Sequence, residues 1–120
     1  MILWRTLLVA MLLTISIYTT FVVAEHGLGL FDIFFADMFA MGWPGQFNLD
    51  FMCMLILSGL WVAWRHHFSA AGLGLGVLGF LGGAPFLSAY LLLQSFRAKG
   101  DMAEILLGKA RSTAMMKRDL

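Results

Sequence analysis

From residue 68 to residue 96 the chain runs 29 residues without a charge, and Gly72, Gly76, Gly79 and Gly83 recur along it. So long an uncharged stretch admits few folds: as one helix at ~1.5 Å per residue it outruns the ~30 Å hydrocarbon core of a bilayer. The spacing i, i+4, i+7, i+11 gathers the four glycines within about 60° of arc, on a helix that turns about 100° per residue. Two small-xxx-small pairs in register let a second backbone come close. Dispersion and weak Cα hydrogen bonds then replace the hydrophobic drive that lipid removes. The seam is read either as packing on another helix of the same chain or as contact with a partner subunit or a second copy. Gly74 and Gly82 lie off it. Being longer than one perpendicular span, the run must tilt, kink or project. Pro85 is the expected kink, with a glycine-rich half before it and a half carrying Leu87, Leu91, Leu92 and Leu93 after it.

Composition agrees with a lipid environment. Over 120 residues, 61% are hydrophobic and 12% charged, with a mean hydropathy of +0.86, where a soluble domain carries roughly 25% charge. A net charge of +1 gives no field for nucleic acid. Cys53 is the only cysteine and lies in an apolar run, which excludes an internal disulfide and disfavours a reactive thiolate.

Two further crossings are expected. Residues 6–24 are uncharged and long enough to span, within a helix placed at about 4–24. The alternative is a signal peptide ending near Ala24. Residues 51–64 reach spanning length only as a helix over about 47–66 that carries Asp50 in its first turn, with Trp61 and Trp64 as interface anchors before Arg65. The third helix is placed at about 69–96. The expected class is thus an all-α membrane protein, a single domain over residues 1–120 with three transmembrane helices.

The segment 25–46 is no ordinary polar loop, since Phe31, Phe34, Phe35 and Phe39 surround only Asp32 and Asp37. It is expected to lie on the membrane as an interfacial or shallow re-entrant stretch, or to pack on helices, and to end at Gly42-Trp43-Pro44-Gly45. The tail 97–120 is read as a short amphipathic surface helix, opened by Asp101 and Glu104 in the manner of a capping box.

Three successive crossings would impose a parity. Arg5, Arg65, His66 and His67 would share one side, and Glu25, His26, Asp50 and the tail the other. No two histidines from different helices would then meet, which argues against a bis-histidine haem. His66 and His67, adjacent on a helix, point about 100° apart and make a poor metal site. Counting Arg5 and Arg65 against Arg97, Lys99, Lys109 and Arg111 favours a cytoplasmic C-terminus and an external N-terminus. Asp50, an ionisable group within a crossing, is the residue most open to a functional reading. Glu25, His26, Asp50 and Arg97 would share one level and form a polar cluster, either a structural clamp or a site for proton exchange or headgroup binding.

The Glu25-His26-Gly27 turn, the Asn48-Leu49-Asp50-Phe51 helix start, the Trp61 to Arg65 helix end and the stretch from Gly83-Ala84-Pro85 to Tyr90 resemble small three-helix bacterial membrane protein families catalogued as domains of unknown function. The resemblance spans roughly residues 5–96 and implies architecture without an activity. The expected role is a non-catalytic accessory or scaffold subunit of a larger complex in a bacterial inner membrane. It would dock through the Gly72, Gly76, Gly79 and Gly83 seam, with membrane lipids and another subunit or itself as partners and with no cofactor, metal or nucleic acid. A pigment-binding variant of that role stays open. The alternative is a small oligomeric membrane enzyme or transporter acting at Glu25, His26, Asp50 and Arg97, for which no nucleophile-base set, metal-ligand spacing or phosphate loop is visible.

Overall fold

Helix boundaries in the computed structural model follow backbone chemistry closely. The structure describes residues 1–119; Leu120, the last residue of the expected tail, lies outside the described residues. Six helices follow one another with no strand among the described residues: α1 (Ile2–His26), α2 (Leu30–Phe39), α3 (Trp43–Arg65), α4 (Ala70–Arg97), α5 (Met102–Leu107) and α6 (Lys109–Asp119). Gly27, at φ 73°, stops α1. Gly42 opens α3 in extended geometry with Pro44 in its first turn, where the missing N–H costs nothing. The helix therefore begins at Trp43 rather than Phe47, and Asp50 lies two turns in instead of in the first turn. After α3 the chain turns through His67 and Phe68, both left-handed, with His67 N–H donating to Trp64 O and Phe68 N–H to Ala63 O. That pattern satisfies two carbonyls at the helix end. Ser69 then caps α4 by accepting from Gly72 N–H.

α1, α3 and α4 are each long and apolar enough to cross a membrane. α4, however, is two helices. Gly83 (φ 59°, ψ −144°) breaks it into arms 70–82 and 84–97, and its partners show how sharply. Gly59 of α3 lies against Gly76 and Phe80, while Trp61 stacks edge-on against Tyr90. Two residues of α3 cover about 3 Å of axis; ten residues of a continuous α4 would cover about 15 Å. The arms must double back. Along α3 the first arm runs antiparallel, His66 meeting Gly72 and Gly59 meeting Gly76. The second runs parallel, Leu55 lying beside Gly83, Trp61 by Tyr90 and Arg65 by Gln94. Phe86 folds back against Gly79 and Gly82 inside the bend.

Gly83 is thus the breaker, for only glycine takes that backbone geometry readily. Pro85 stands just inside the start of the second arm, a position that suits its fixed φ, and is not the site of the kink. The hairpin lies between α1 and α3 and contacts both. α2 packs on the first half of α3, where Gly45 passes so close to Asp37 that a side chain would not fit, and Asn48 Nδ2 donates to Phe34 O at 3.1 Å. The pairing of 37 with 45 and 34 with 48 makes this an antiparallel helical hairpin. Its aromatic face meets the tip of the α4 hairpin, where Phe34, Phe51 and Phe80 line a cavity of about 180 Å³.

The reversal changes the parity. Both ends of α4 lie with the start of α1 and the end of α3, because Arg5 donates to Ser95 and Arg65 to Gln94. The tail therefore joins Arg5 and Arg65 instead of Glu25, His26 and Asp50. All eight Lys and Arg residues fall at this one end. Glu25, Asp32, Asp37 and Asp50 lie toward the other.

Candidate functional site

The densest polar assembly forms at the basic end, around Arg65. This last residue of α3 is buried at 7% exposure, and every arm of its guanidinium is used. Nε donates to Ile105 O at 2.7 Å, Nη2 to Glu104 O at 3.1 Å and to Gln94 Oε1 at 3.2 Å, and Nη1 to the Tyr90 hydroxyl at 3.0 Å. Trp61 Nε1 adds a bond to Leu106 O at 3.1 Å. Glu104, Ile105 and Leu106 lie in the final turn of α5, where Glu104 O already accepts from Gly108 N–H at 2.9 Å and the last carbonyls carry the negative end of the peptide dipoles. Arg65 and Trp61 therefore cap α5 from outside, and the buried charge is met by carbonyls and the Tyr90 hydroxyl, with no carboxylate within ion-pair distance among the described residues.

Tyr90 links this cap to His66. Its hydroxyl lies 2.6 Å from His66 Nε2 and accepts from Arg65 Nη1. Arginine only donates, and Arg65 Nη1 also lies 3.4 Å from His66 Nε2, so a neutral imidazole whose Nε2 accepts from the Tyr90 hydroxyl fits both neighbours. Burial lowers the His66 pKa below its ordinary value, and the neighbouring Arg65 charge lowers it further, with smaller contributions from His67 and Arg97.

Two more arginines tie the same end together. Arg5 Nε donates to Ser95 Oγ at 3.0 Å and Nη2 to Ser95 O at 2.9 Å, with the guanidinium 4.1 Å from the centre of the Phe96 ring. Arg111 of α6 donates to Trp64 O and lies over the Trp64 ring at 3.8 Å. α1, α3, α4 and the tail are thus joined through guanidinium groups bonded to carbonyls, hydroxyls and an amide. No Lys or Arg is within ion-pair distance of a carboxylate among the described residues.

The sequence-derived cluster of Glu25, His26, Asp50 and Arg97 is not brought together. Arg97 closes the second arm of α4 at the basic end. Glu25 and His26 form an exposed pair, 3.9 Å apart, at the far end of α1, where solvent screens such contacts. Asp50 is exposed on α3 and has no ion-pair partner among the described residues. Of the glycine seam, Gly72, Gly76 and Gly79 are buried within the chain. A Cβ on Gly76 would stand 2.9 Å from Gly59 O, and one on Gly72 2.7 Å from the His66 Cβ. Gly83, the fourth member, is the hinge. No group of three metal-ligating side chains occurs among the described residues, and Cys53 is exposed.

Tyr90, Gln94 and Ser95 were missed as site residues from the sequence, although three polar side chains within six positions of an otherwise apolar run were a visible signal. No protein-family model matches the chain, and comparison with the curated proteins and with the solved structures finds no match.

Proposed function

We propose that this chain is a non-catalytic accessory or scaffold subunit of a larger complex in a bacterial inner membrane, with both the start of α1 and the tail on the cytoplasmic side. α1 and α3 cross; the α4 hairpin enters from the cytoplasmic face and returns to it. Orientation rests on the gathering of every Lys and Arg at one end, the distribution that the positive-inside rule assigns to the cytoplasm. The glycine seam is occupied by α3, so the docking surface lies elsewhere.

The observation that carries the docking role is Asp50. It stands seven residues into α3, about 10 Å from the helix start, exposed and with no ion-pair partner among the described residues. A carboxylate on the outer face of a spanning helix is costly in lipid and calls for a polar partner. Phe47, Met54 and Leu57 share its face at i−3, i+4 and i+7 and are 65%, 62% and 66% exposed. An apolar stripe with one acid at its centre suits a neighbouring helix that offers a donor or a cation at that depth.

A photo-crosslinking residue placed at Met54 or Leu57 tests this in native membranes. The expected result is one defined adduct with a different membrane protein, lost on Asp50→Asn. Adducts only with lipid, or only with a second copy of this chain, would overturn the accessory reading.

A further inference from the structure

We propose that the flank between α1 and the second arm of α4 binds one anionic phospholipid of the cytoplasmic leaflet, its phosphate at Arg5 and one acyl chain in the groove behind. The inference rests on the membrane placement above and is independent of the Asp50 face.

The groove follows from the hairpin. Because α4 turns back at Gly83, its second arm begins opposite Thr14 and runs down α1 to Ile2 and Phe96. Small residues, Ala10 on α1 and Ala84 on the arm, leave a channel between the two. Its outer section holds about 530 Å³, with Arg5 and Phe96 at its mouth, and its inner section about 460 Å³, between Thr14, Tyr18 and Ala84. Ala10 borders both, and the outer section, which holds Arg5, is the one assigned to the acyl chain. From Ile2 to Leu13 this section follows about 16 Å of helix, comparable to the roughly 15 Å of one leaflet's hydrocarbon. The lining is almost wholly apolar, as an acyl chain requires.

Charge selects the headgroup. Arg5 is held by Ser95 through Nε and Nη2 and by the Phe96 ring beneath it, which leaves Nη1 without a hydrogen-bond partner among the described residues. No carboxylate lies within ion-pair distance of it among the described residues. Arg97 and Lys99 lie at the same end, since Gly100 rests against Met1. A phosphodiester from the anionic leaflet matches this cation in sign, depth and geometry.

The test uses the full chain reconstituted in phosphatidylcholine vesicles that carry a trace of chain-spin-labelled phosphatidylglycerol or chain-spin-labelled phosphatidylcholine. Phosphatidylglycerol is expected to show about fivefold higher relative association in the motionally restricted spectrum, the ratio that one basic residue near a membrane surface supplies. Arg5→Gln should bring the ratio close to one. Arg5 also clamps Ser95, so a second variant avoids that bond: Ala10→Phe fills the groove, leaves Arg5 in place and should remove the selective restricted component. Equal restriction of the two lipids in the unaltered protein would overturn the inference, as would selectivity that survives both variants. Dimers whose contact maps to Ala10 would assign the groove to a second copy and overturn it too. Cysteine labelling of the two ends reads orientation separately, so absent selectivity in the correctly oriented, unaltered protein counts against the lipid site alone.

Discussion

Arg65 brings a full charge into a nearly dry setting where only neutral acceptors face it. Each hydrogen bond to a charged group contributes about 1.5–3 kcal/mol, and truncation would leave the last carbonyls of α5, the Tyr90 hydroxyl and Gln94 short of a donor. Arg65→Leu should therefore destabilise the protein by on the order of 3 kcal/mol or more. It should also free the tail, which limited proteolysis would detect as early cleavage after residue 100. Arg65→Lys should fall between, because a point charge on a flexible stem cannot serve α5, Tyr90 and Gln94 at once. His66 gives the same end a pH response. Its pKa in the folded state lies below the ordinary value of about 6.5, so the unfolded chain takes up the proton first as pH falls. The stability present above about pH 6.5 is then lost progressively below it. The unfolding midpoint in detergent should drop between pH 7 and 5, and His66→Gln should flatten that part of the curve; an unchanged slope would mean that folding does not lower the His66 pKa.

At the scale of elements, the contact between α3 and the first arm of α4 depends on the absence of side chains. A Cβ on Gly59 would stand 2.7 Å from Gly76 O, and backbone on backbone cannot give way cheaply. Gly59→Val or Gly76→Val should cost about 1–3 kcal/mol by overpacking, whereas Gly74, which faces open space, should accept alanine with a gain of up to about 1 kcal/mol in helix propensity. Thermal unfolding of the three variants in one detergent distinguishes a packing seam from a merely glycine-rich helix. The seam and its spacing were legible in the sequence because close helix contact needs small residues at i, i+4 and i+7. The reversal was not. A stretch without charges has the same hydropathy whether it crosses once or enters and returns, and glycine at position 83 reads equally as seam or as hinge. Pro85 was the stronger local signal, but proline marks helix starts as well as kinks. The Arg65 cap was illegible for another reason: its acceptors are main-chain carbonyls forty residues away, and a carbonyl carries no sequence signature. The start of α3 lay four residues earlier than hydrophobicity alone indicated, since Gly42, Trp43 and Pro44 read as a breaker until their positions relative to the first turn are known.

For the whole molecule, the fate of 84–97 decides where every charged group stands. A third full crossing would put Lys99 and the tail with Glu25 and Asp50 and split the basic residues between both faces. The hairpin puts all eight on one face, with Asp32, Asp37 and Asp50 toward the opposite one. The two topologies make opposite predictions for single cysteines introduced after Cys53→Ser. In the hairpin, with the orientation proposed above, cysteines at residues 28 and 41, on the loops flanking α2, should label from the outer face with a membrane-impermeant maleimide on intact cells. Cysteines at residues 67, 100 and 113 label only after the inner membrane is opened. In a three-crossing chain, position 67 is opposed to both 28 and 100, and residues 100 and 113 follow 28. Position 100 is therefore decisive: labelling together with 67 supports the hairpin, and labelling together with 28 rules it out. A cysteine at Leu81, beside the turn and with its side chain on the outer surface, should label poorly from either side because the turn lies midway along α1 opposite Thr14. It also keeps Gly83 intact, so poor labelling there reflects depth and not a broken hinge.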